Sequence, residues 1–394
     1  MRRNTFFMWQ QWFSGIRTAI GILHGNRAFG GPYQAILDLT NRCNIKCIHC
    51  YFHSPFLDRP NLKPVRQARI MGLVLPRGVN LDQIQRIDAD TILTNNLIDE
   101  MLLMGTRRFQ FSGSGEPFLH KNVLEFFARV KVAGSIATVN TNGLLLDRTT
   151  IDELIKMKFD ELRITTMSGT RDMYERTHPG IREEAFDELQ ENLSYIAERK
   201  IALGVNKPRV NLNYVVTSYN YDGIMVFAEF ANFIRADRVI FRPVDDLDDP
   251  DLAILVPTKT QATSVREQLI EVKNYLHACK IDQNIENFLK IFRKKLDTRE
   301  LYRVIPCYYG WLSVLVEADG SVFPCCRCNE PLGNIHEKEF QKIWYGSTYR
   351  LFRGEAIRIN RRKAPVRGCD CNSCVHHSAN LKVYRVLHPV CAPF

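Results

Sequence analysis

From Tyr33 onward the hydrophobic and polar positions change period again and again. Short apolar runs are followed by longer stretches in which apolar residues recur every three to four positions. The short runs predict strands at Ala35–Thr40, Arg107–Phe111, Ala137–Asn140, Glu161–Thr166, Val210–Val216 and Arg238–Arg242. Helices are predicted between them, and strictly alternating strands and helices give an α/β fold with a parallel sheet. Thr258–Lys295 reads as a further helix in which the isolated Cys279 is a packing residue. Near the C-terminus, Leu312–Glu317 and Ser321–Phe323 flank Asp319-Gly320 and predict a hairpin.

Two stretches stand apart from this rhythm. In the first, Trp9, Phe13, Ile16, Ile20 and Leu23 recur at helical spacing beside Trp12, and no acidic residue occurs before Asp38. Arg17 and two glutamines break the apolar run well short of the roughly 20 residues that span a bilayer, and the segment does not end like a signal peptide. It is expected either to face a core or a partner, or to lie in a membrane interface. The second stretch links Cys50 to a helix near Ile92 and contains Pro55, Pro60, Pro64 and Pro76. A connection of this length is expected to be a lid over a site or a surface insertion.

Composition adds limits. The 394 residues, 45% of them hydrophobic, suffice for one large domain or two ordinary ones. The net charge of +10 favours anionic partners without selecting one. Twelve cysteines fall in ligand-like triplets and pairs, which in a large chain points to a reducing cytoplasm rather than to a disulfide framework. A nucleic-acid-binding protein would use the same charge and cysteines, but the aromatic residues are not interleaved with Lys and Arg in a recognisable module.

The chemistry begins where the first strand runs into Cys43, Cys47 and Cys50. A C-x3-C-x2-C loop can aim three thiolates at one iron-sulfur cluster and leave its fourth iron without a protein ligand. A structural zinc site completed by His49 or His53 is the competing reading, although zinc usually takes two paired knuckles. The loop resembles the signature of the radical S-adenosylmethionine (radical SAM) family, with His49 where an aromatic residue usually precedes the third cysteine. That resemblance implies a partial (β/α)6 TIM-like barrel with its chemistry at the C-terminal ends of the strands. It also implies a 4Fe–4S cluster that chelates S-adenosylmethionine, reductive cleavage to a 5′-deoxyadenosyl radical, and an external one-electron donor of flavodoxin or ferredoxin type.

Further motifs carry the resemblance. Gly113-Ser114-Gly115-Glu116-Pro117 is similar to the family's GGEP segment, with Ser114 in place of a glycine, and implies that the strand edge and Glu116 hold the methionine ammonium. Asn140-Thr141-Asn142-Gly143 is similar to the TNG segment, and Thr165 to a position often occupied by serine. Asn140, Thr165 and Asn213 are therefore expected to touch the cofactor, though each also suits an ordinary strand end. Arg176 lies near the place of a family arginine in the loop Met167–Gly180.

After the sixth strand, the acidic run Asp245–Asp251 reads as a linker or as a receptor for a cationic substrate. The hairpin brings Cys307 and Cys325 together, and Cys371 and Cys374 form a C-x2-C pair. With Leu332-Gly333-Asn334-Ile335, Ile343-Trp344 and Arg353, these resemble the auxiliary-cluster modules called SPASM and Twitch. The resemblance implies one auxiliary 4Fe–4S cluster on Cys307, Cys325, Cys371 and Cys374. Cys326, Cys328, Cys369 and Cys391 are enough in number for a second, at spacings that depart from the two-cluster pattern. A zinc ribbon is the alternative. Arg358, Arg361, Arg362, Lys363 and Arg367 read as a solvated basic loop or a phosphate site.

The expected domains are an N-terminal helical segment (1–34), the barrel (35–250), a helical linker (251–300) and a small C-terminal cysteine-rich domain (301–394). The expected function is hydrogen abstraction from a substrate C–H bond, most simply an oxidation of a small or lipid-linked, sugar- or cyclitol-like molecule. Crosslinking or epimerisation of a peptide is the alternative, and fold alone does not choose between them.

Overall fold

The computed structural model describes residues 14–58, 69–70, 73–74, 86–244, 252–293, 298–372 and 374–389. Six strands form the central run: β1 (Gln34–Leu37), β2 (Arg108–Phe111), β3 (Ile136–Thr141), β4 (Glu161–Thr165), β5 (Arg209–Val216) and β6 (Arg238–Pro243). All five neighbouring pairs are parallel, and each predicted strand is recovered to within a few residues.

Alternation along the strands separates two faces. Phe109, Phe111, Val139, Leu162, Ile164, Leu212, Tyr214 and Phe241 are buried and share one core with helix residues such as Phe126, Leu154, Leu189 and Phe227. That face carries the helices. The opposite, concave face is polar: Gln34 and Gln110 are hydrogen-bonded, Arg163 donates to Gln110, and Asn140 donates to Ser112.

Caps fix where the helices begin. Asp90 accepts from the backbone N–H of Leu93 at the start of the helix Thr91–Leu103. Asp147 does the same from Thr150 at the helix Arg148–Lys156. Thr258 and Gln261 form a reciprocal capping box before Lys259–Ala278. The stretch expected as one helix from Thr258 to Lys295 is broken at Lys280, whose φ is 59°. Its middle forms β7 (Asp282–Gln283), which pairs in parallel with β6. The expected linker thus extends the barrel sheet.

The C-terminal hairpin also joins that sheet, which sequence periodicity did not foresee. β8 (Ser313–Val316) pairs in parallel with β1, β9 (Ser321–Phe323) folds back on β8, and β10 (Gly333–Asn334) follows. The result is one ten-stranded sheet in the order β10-β9-β8-β1-β2-β3-β4-β5-β6-β7. Arg353 anchors the module. Its buried guanidinium lies over the rings of Trp344 and Tyr349 and donates to the carbonyls of Gly310 and Trp344.

The N-terminal helix, residues 14–24, turns a different side inward from the expected one. Ile22 packs on Tyr308 and Trp311, while Ile16, Ile20 and Leu23 are exposed. Gly21 is the reason: a Cβ there would meet the Arg27 carbonyl at 2.8 Å and the Trp311 ring at 2.9 Å, so the glycine marks the close contact. Trp9, Trp12 and Phe13 lie outside the described residues, as do Pro60, Pro64, Pro76 and the acidic run 245–251.

Candidate metal and cofactor centres

The cysteine loop is tied down from three sides. Thr40 Oγ1 donates to Asp88 at 2.6 Å, and Arg42 makes a two-pronged pair with the same carboxylate at 2.9 and 2.7 Å while also reaching the Leu119 carbonyl. The backbone N–H of Glu116 donates to the Arg42 carbonyl at 2.8 Å, and that of Ile48 to Thr177 at 3.0 Å. Asn142 donates to Asn44 at 2.7 Å, joining the loop to the end of β3.

Held in this way, Cys43, Cys47 and Cys50 form a cluster of desolvated thiols. Burial pushes Cys43 up to about 12, with Glu116 and Cys50 adding to the effect, and it pushes Cys47 well above its ordinary value. Cys50 is raised by burial too, although the N–H groups of Phe52 and His53 point at its sulfur at 3.4 and 3.3 Å and pull the other way. Three half-buried thiols on one loop that resist ionising alone fit a soft metal centre, whose charge inverts that preference. Beside them opens a cavity of about 680 Å³ lined by Asn41, Arg42, Cys43, Lys46, His53 and Ser114.

Ser114 and Glu116 are fixed by residues that the motif does not contain. Asp38 Oδ2 accepts from both the Ser114 N–H at 2.8 Å and its hydroxyl at 2.6 Å, and the Ser114 carbonyl meets His53 Nε2 at 2.8 Å. Burial raises Asp38 to about 6 and Glu116 to about 7, against the hydrogen bonds each accepts. Glu116 takes Thr141 Oγ1 at 2.7 Å, the Asn142 N–H at 2.8 Å and the Phe118 N–H at 3.2 Å. Both its oxygens therefore tie the GGEP-like turn to the TNG-like corner. Gly115 lies against the loop backbone, where no side chain fits.

The remaining expected contacts share the concave face. Thr165 and Asn213 are register partners, and Asn140 pairs with Arg163 one step away. The side-chain carbonyl oxygens of Asn140 and Asn213 are buried without a protein partner, which suits a polar ligand. Arg176 is exposed on the helix Arg171–Thr177. His49 is half-buried, and desolvation reinforced by His178 lowers it to about 3, so this imidazole of the loop is neutral. Tyr174 Oη and His178 Nε2 also lack protein partners nearby. Asp38 and Asp88 belong to no short motif and are not singled out by the sequence; a buried Asp ending an apolar strand is the one available signal.

The second centre gathers Cys307, Cys325, Cys371 and Cys374 around one small chamber with Tyr302, Tyr309, His376 and Asn380. The Tyr302 hydroxyl lies 2.9 Å from Cys374 Sγ, and Asn380 donates to Tyr302 at 2.8 Å. Burial raises all four thiols, with a hydrogen bond from Cys326 acting first at Cys325. These four sulfurs fit a metal or cluster by the same reasoning as the first three. Cys326, Cys325 and His376 form a further ligand-like group on the rim. Of the thiols considered for a second cluster, Cys328 and Cys369 are joined in a disulfide, and Cys391 lies outside the described residues.

A parallel partial barrel with a cysteine loop after its first strand, carrying a second cysteine chamber on an appended hairpin, defines a class of iron-sulfur enzymes. The chain belongs to the radical SAM superfamily and carries a SPASM domain: the superfamily's sequence profile matches residues 37–231, and that of the SPASM iron-sulfur cluster-binding domain matches residues 307–375. Its cofactors are accordingly a 4Fe–4S cluster, S-adenosylmethionine and auxiliary iron-sulfur clusters. Fe-coproporphyrin III synthase of Methanosarcina barkeri is 26% identical over 358 residues, covering 85% of this chain and 79% of the relative. The antilisterial bacteriocin subtilosin biosynthesis protein AlbA of Bacillus subtilis is 23% identical over 367 residues, covering 91% and 71%. Among solved structures, Streptococcus suis SuiB bound to the precursor peptide SuiA superposes with a TM-score of 0.59 at 15% identity, covering 90% of this chain and 75% of SuiB. SuiB has also been solved with S-adenosylmethionine bound.

Proposed function

We propose that this enzyme oxidises or crosslinks a substrate at an unactivated C–H bond, with Cys43, Cys47 and Cys50 holding the radical-generating 4Fe–4S cluster. Ser114, Gly115, Glu116, Asn140, Thr165 and Asn213 form the S-adenosylmethionine pocket, and Cys307, Cys325, Cys371 and Cys374 hold one auxiliary cluster. When bound, the cluster and cofactor supply a 5′-deoxyadenosyl radical that takes hydrogen from the substrate. The chain's own residues desolvate the thiols, lock the loop through Asp88 and Arg42, and orient the strand edge through Asp38 and Glu116. The observation that carries this reading is the placing of three half-buried, desolvated thiols on one loop at the C-terminal end of β1 beside an open polar cavity. Anaerobic reconstitution with iron and sulfide, a reductant and S-adenosylmethionine should release 5′-deoxyadenosine. A colourless zinc protein that leaves the cofactor whole would refute it.

For the substrate, a peptide is the better supported class, since AlbA is named for bacteriocin biosynthesis and SuiB was solved with a precursor peptide. A small anionic molecule is the second reading, favoured by the arginines of the concave face and by a relative named for coproporphyrin. Electrons come from an external flavodoxin- or ferredoxin-like donor. The domain division 1–34, 35–250, 251–300 and 301–394 belongs to this proposal, with the helix Lys259–Ala278 and β7 packed as part of the barrel.

Variants at Cys371 and Cys374 should lose substrate turnover but keep a measurable fraction of uncoupled 5′-deoxyadenosine release, because they line a chamber separate from the cavity beside Cys43. Complete loss of cleavage would contradict two separable centres. No helix among the described residues is long and apolar enough to cross a membrane. Peripheral contact of a cytoplasmic enzyme through residues 1–31 is supported by exposed Ile16, Ile20 and Leu23. Full chain should sediment with anionic liposomes and chain lacking 1–31 should not; equal recovery of both in the supernatant ends the membrane reading.

A further inference from the structure

The concave face of the sheet carries a ladder of arginines. Strand register places Arg108, Arg163, Arg238 and Arg242 on the face that bears Ser112, Asn140, Thr165 and Asn213. Of the acids near them, Glu161 already accepts from Arg163 at 2.7 Å and from Asn211, and Asp282, the register partner of Arg238, accepts from Arg209 at 2.8 Å. Asp38 at the end of β1 is spent on Ser114. Barrel interiors of this family of folds are ordinarily filled by branched apolar side chains. A guanidinium that burial partly desolvates there is costly unless something anionic meets it, and Arg163 already has Glu161.

Arg242 is the one placed to do so. It sits at the C-terminal end of β6, two residues beyond Ile240, the register partner of Asn213. It is open to solvent, and no described carboxylate or carbonyl is paired with it. Yet the surrounding protein desolvates it enough to lower its pKa, with Arg163 and Arg238 adding repulsion and Tyr51, the residue after Cys50, acting in the opposite sense. Arg242 thus stands between the arginine ladder and the cysteine loop. Arg238 Nε and the Asn213 carbonyl oxygen are buried without protein partners on the same face.

We infer that Arg242, backed by Arg163, is the anchor for a carboxylate on the substrate, so that the enzyme selects acidic molecules or acidic peptide segments. A planar guanidinium presents two parallel donors that match a carboxylate, and among the described residues no carboxylate is paired with Arg242. This deepens the proposed function and rests on it for the word substrate, while the binding itself is measurable without turnover.

The test uses the full chain, reconstituted anaerobically with S-adenosylmethionine, and isothermal titration with glutarate, inorganic phosphate and the neutral analogue glutaramide. Wild type should bind glutarate in preference to both others. Arg242→Gln should weaken glutarate at least about tenfold, Arg242→Lys should weaken it less, and Arg350→Gln, an exposed charge change on Ser347–Ala356, should leave it unchanged. Iron content and melting temperature show whether each variant is folded and loaded. Equal glutarate affinity in Arg242→Gln, no glutarate binding to wild type, or a preference for phosphate overturns the assignment. Failure of the radical reading is separate, since it appears as absent 5′-deoxyadenosine whatever glutarate does.

Discussion

Serine at Cys43, Cys47 or Cys50 should reduce release of 5′-deoxyadenosine by at least about a hundredfold, with loss of the iron bound at that centre. The three sulfurs come from one short loop, and among the described residues no fourth cysteine lines the cavity beside Cys43 to take over. A hydroxyl is a poorer ligand for iron in a desolvated site, and burial already disfavours ionisation of the neighbouring thiols. The loop itself should survive, because Asp88, Arg42, Glu116 and Thr177 hold it through groups other than sulfur. Chromatographic assay of 5′-deoxyadenosine and Mössbauer spectra of anaerobically purified material check the two halves separately. A serine variant with more than half of wild-type cleavage would remove these cysteines from the reaction.

Gly115→Ala should be nearly as damaging, by a different route. An added Cβ would stand 2.2 Å from the Arg42 carbonyl oxygen, 2.4 Å from that of Thr40 and 2.8 Å from the Arg42 nitrogen. All three are backbone atoms, so no side chain can swing aside. Relief requires separating the GGEP-like turn from the cysteine loop, which breaks the hydrogen bond from Glu116 N–H to the Arg42 carbonyl. Overpacking of this kind costs about 3 kcal/mol or more when backbone must move. Gly15→Ala, in the N-terminal helix with nothing within 4 Å, is the matched control and should be neutral or slightly stabilising. Denaturant unfolding of the metal-free chain and iron content after reconstitution measure the effect. A Gly115→Ala protein within about 1 kcal/mol of wild type that still loads iron would show that the two segments are not coupled.

Much of this was legible before any coordinates. The strands from Ala35 to Arg242 could be read because apolar and polar residues alternate on a surface that packs helices on one side and holds polar groups on the other. The cysteine groups could be read because metal ligation constrains spacing. For the N-terminal helix, periodicity marks an apolar stripe but does not say whether it faces a core or the outside. Ile16, Ile20 and Leu23 satisfy helical periodicity, but the close approach of Trp311 to Gly21 draws Ile22 inward instead. The single long helix from Thr258 was likewise a periodicity reading that a left-handed residue at Lys280 interrupts.

By itself the sequence determined the order of strands and helices, the two cysteine centres and the kinship that goes with them, because each depends on residues close together in the chain. Tertiary structure alone decided that the C-terminal hairpin continues the barrel sheet beside β1 and that Asp38 and Asp88 hold the ligand-bearing segments. It also decided that four arginines from three strands share one concave face. These are relations between positions far apart in the chain, set by strand register and by packing that no local pattern encodes.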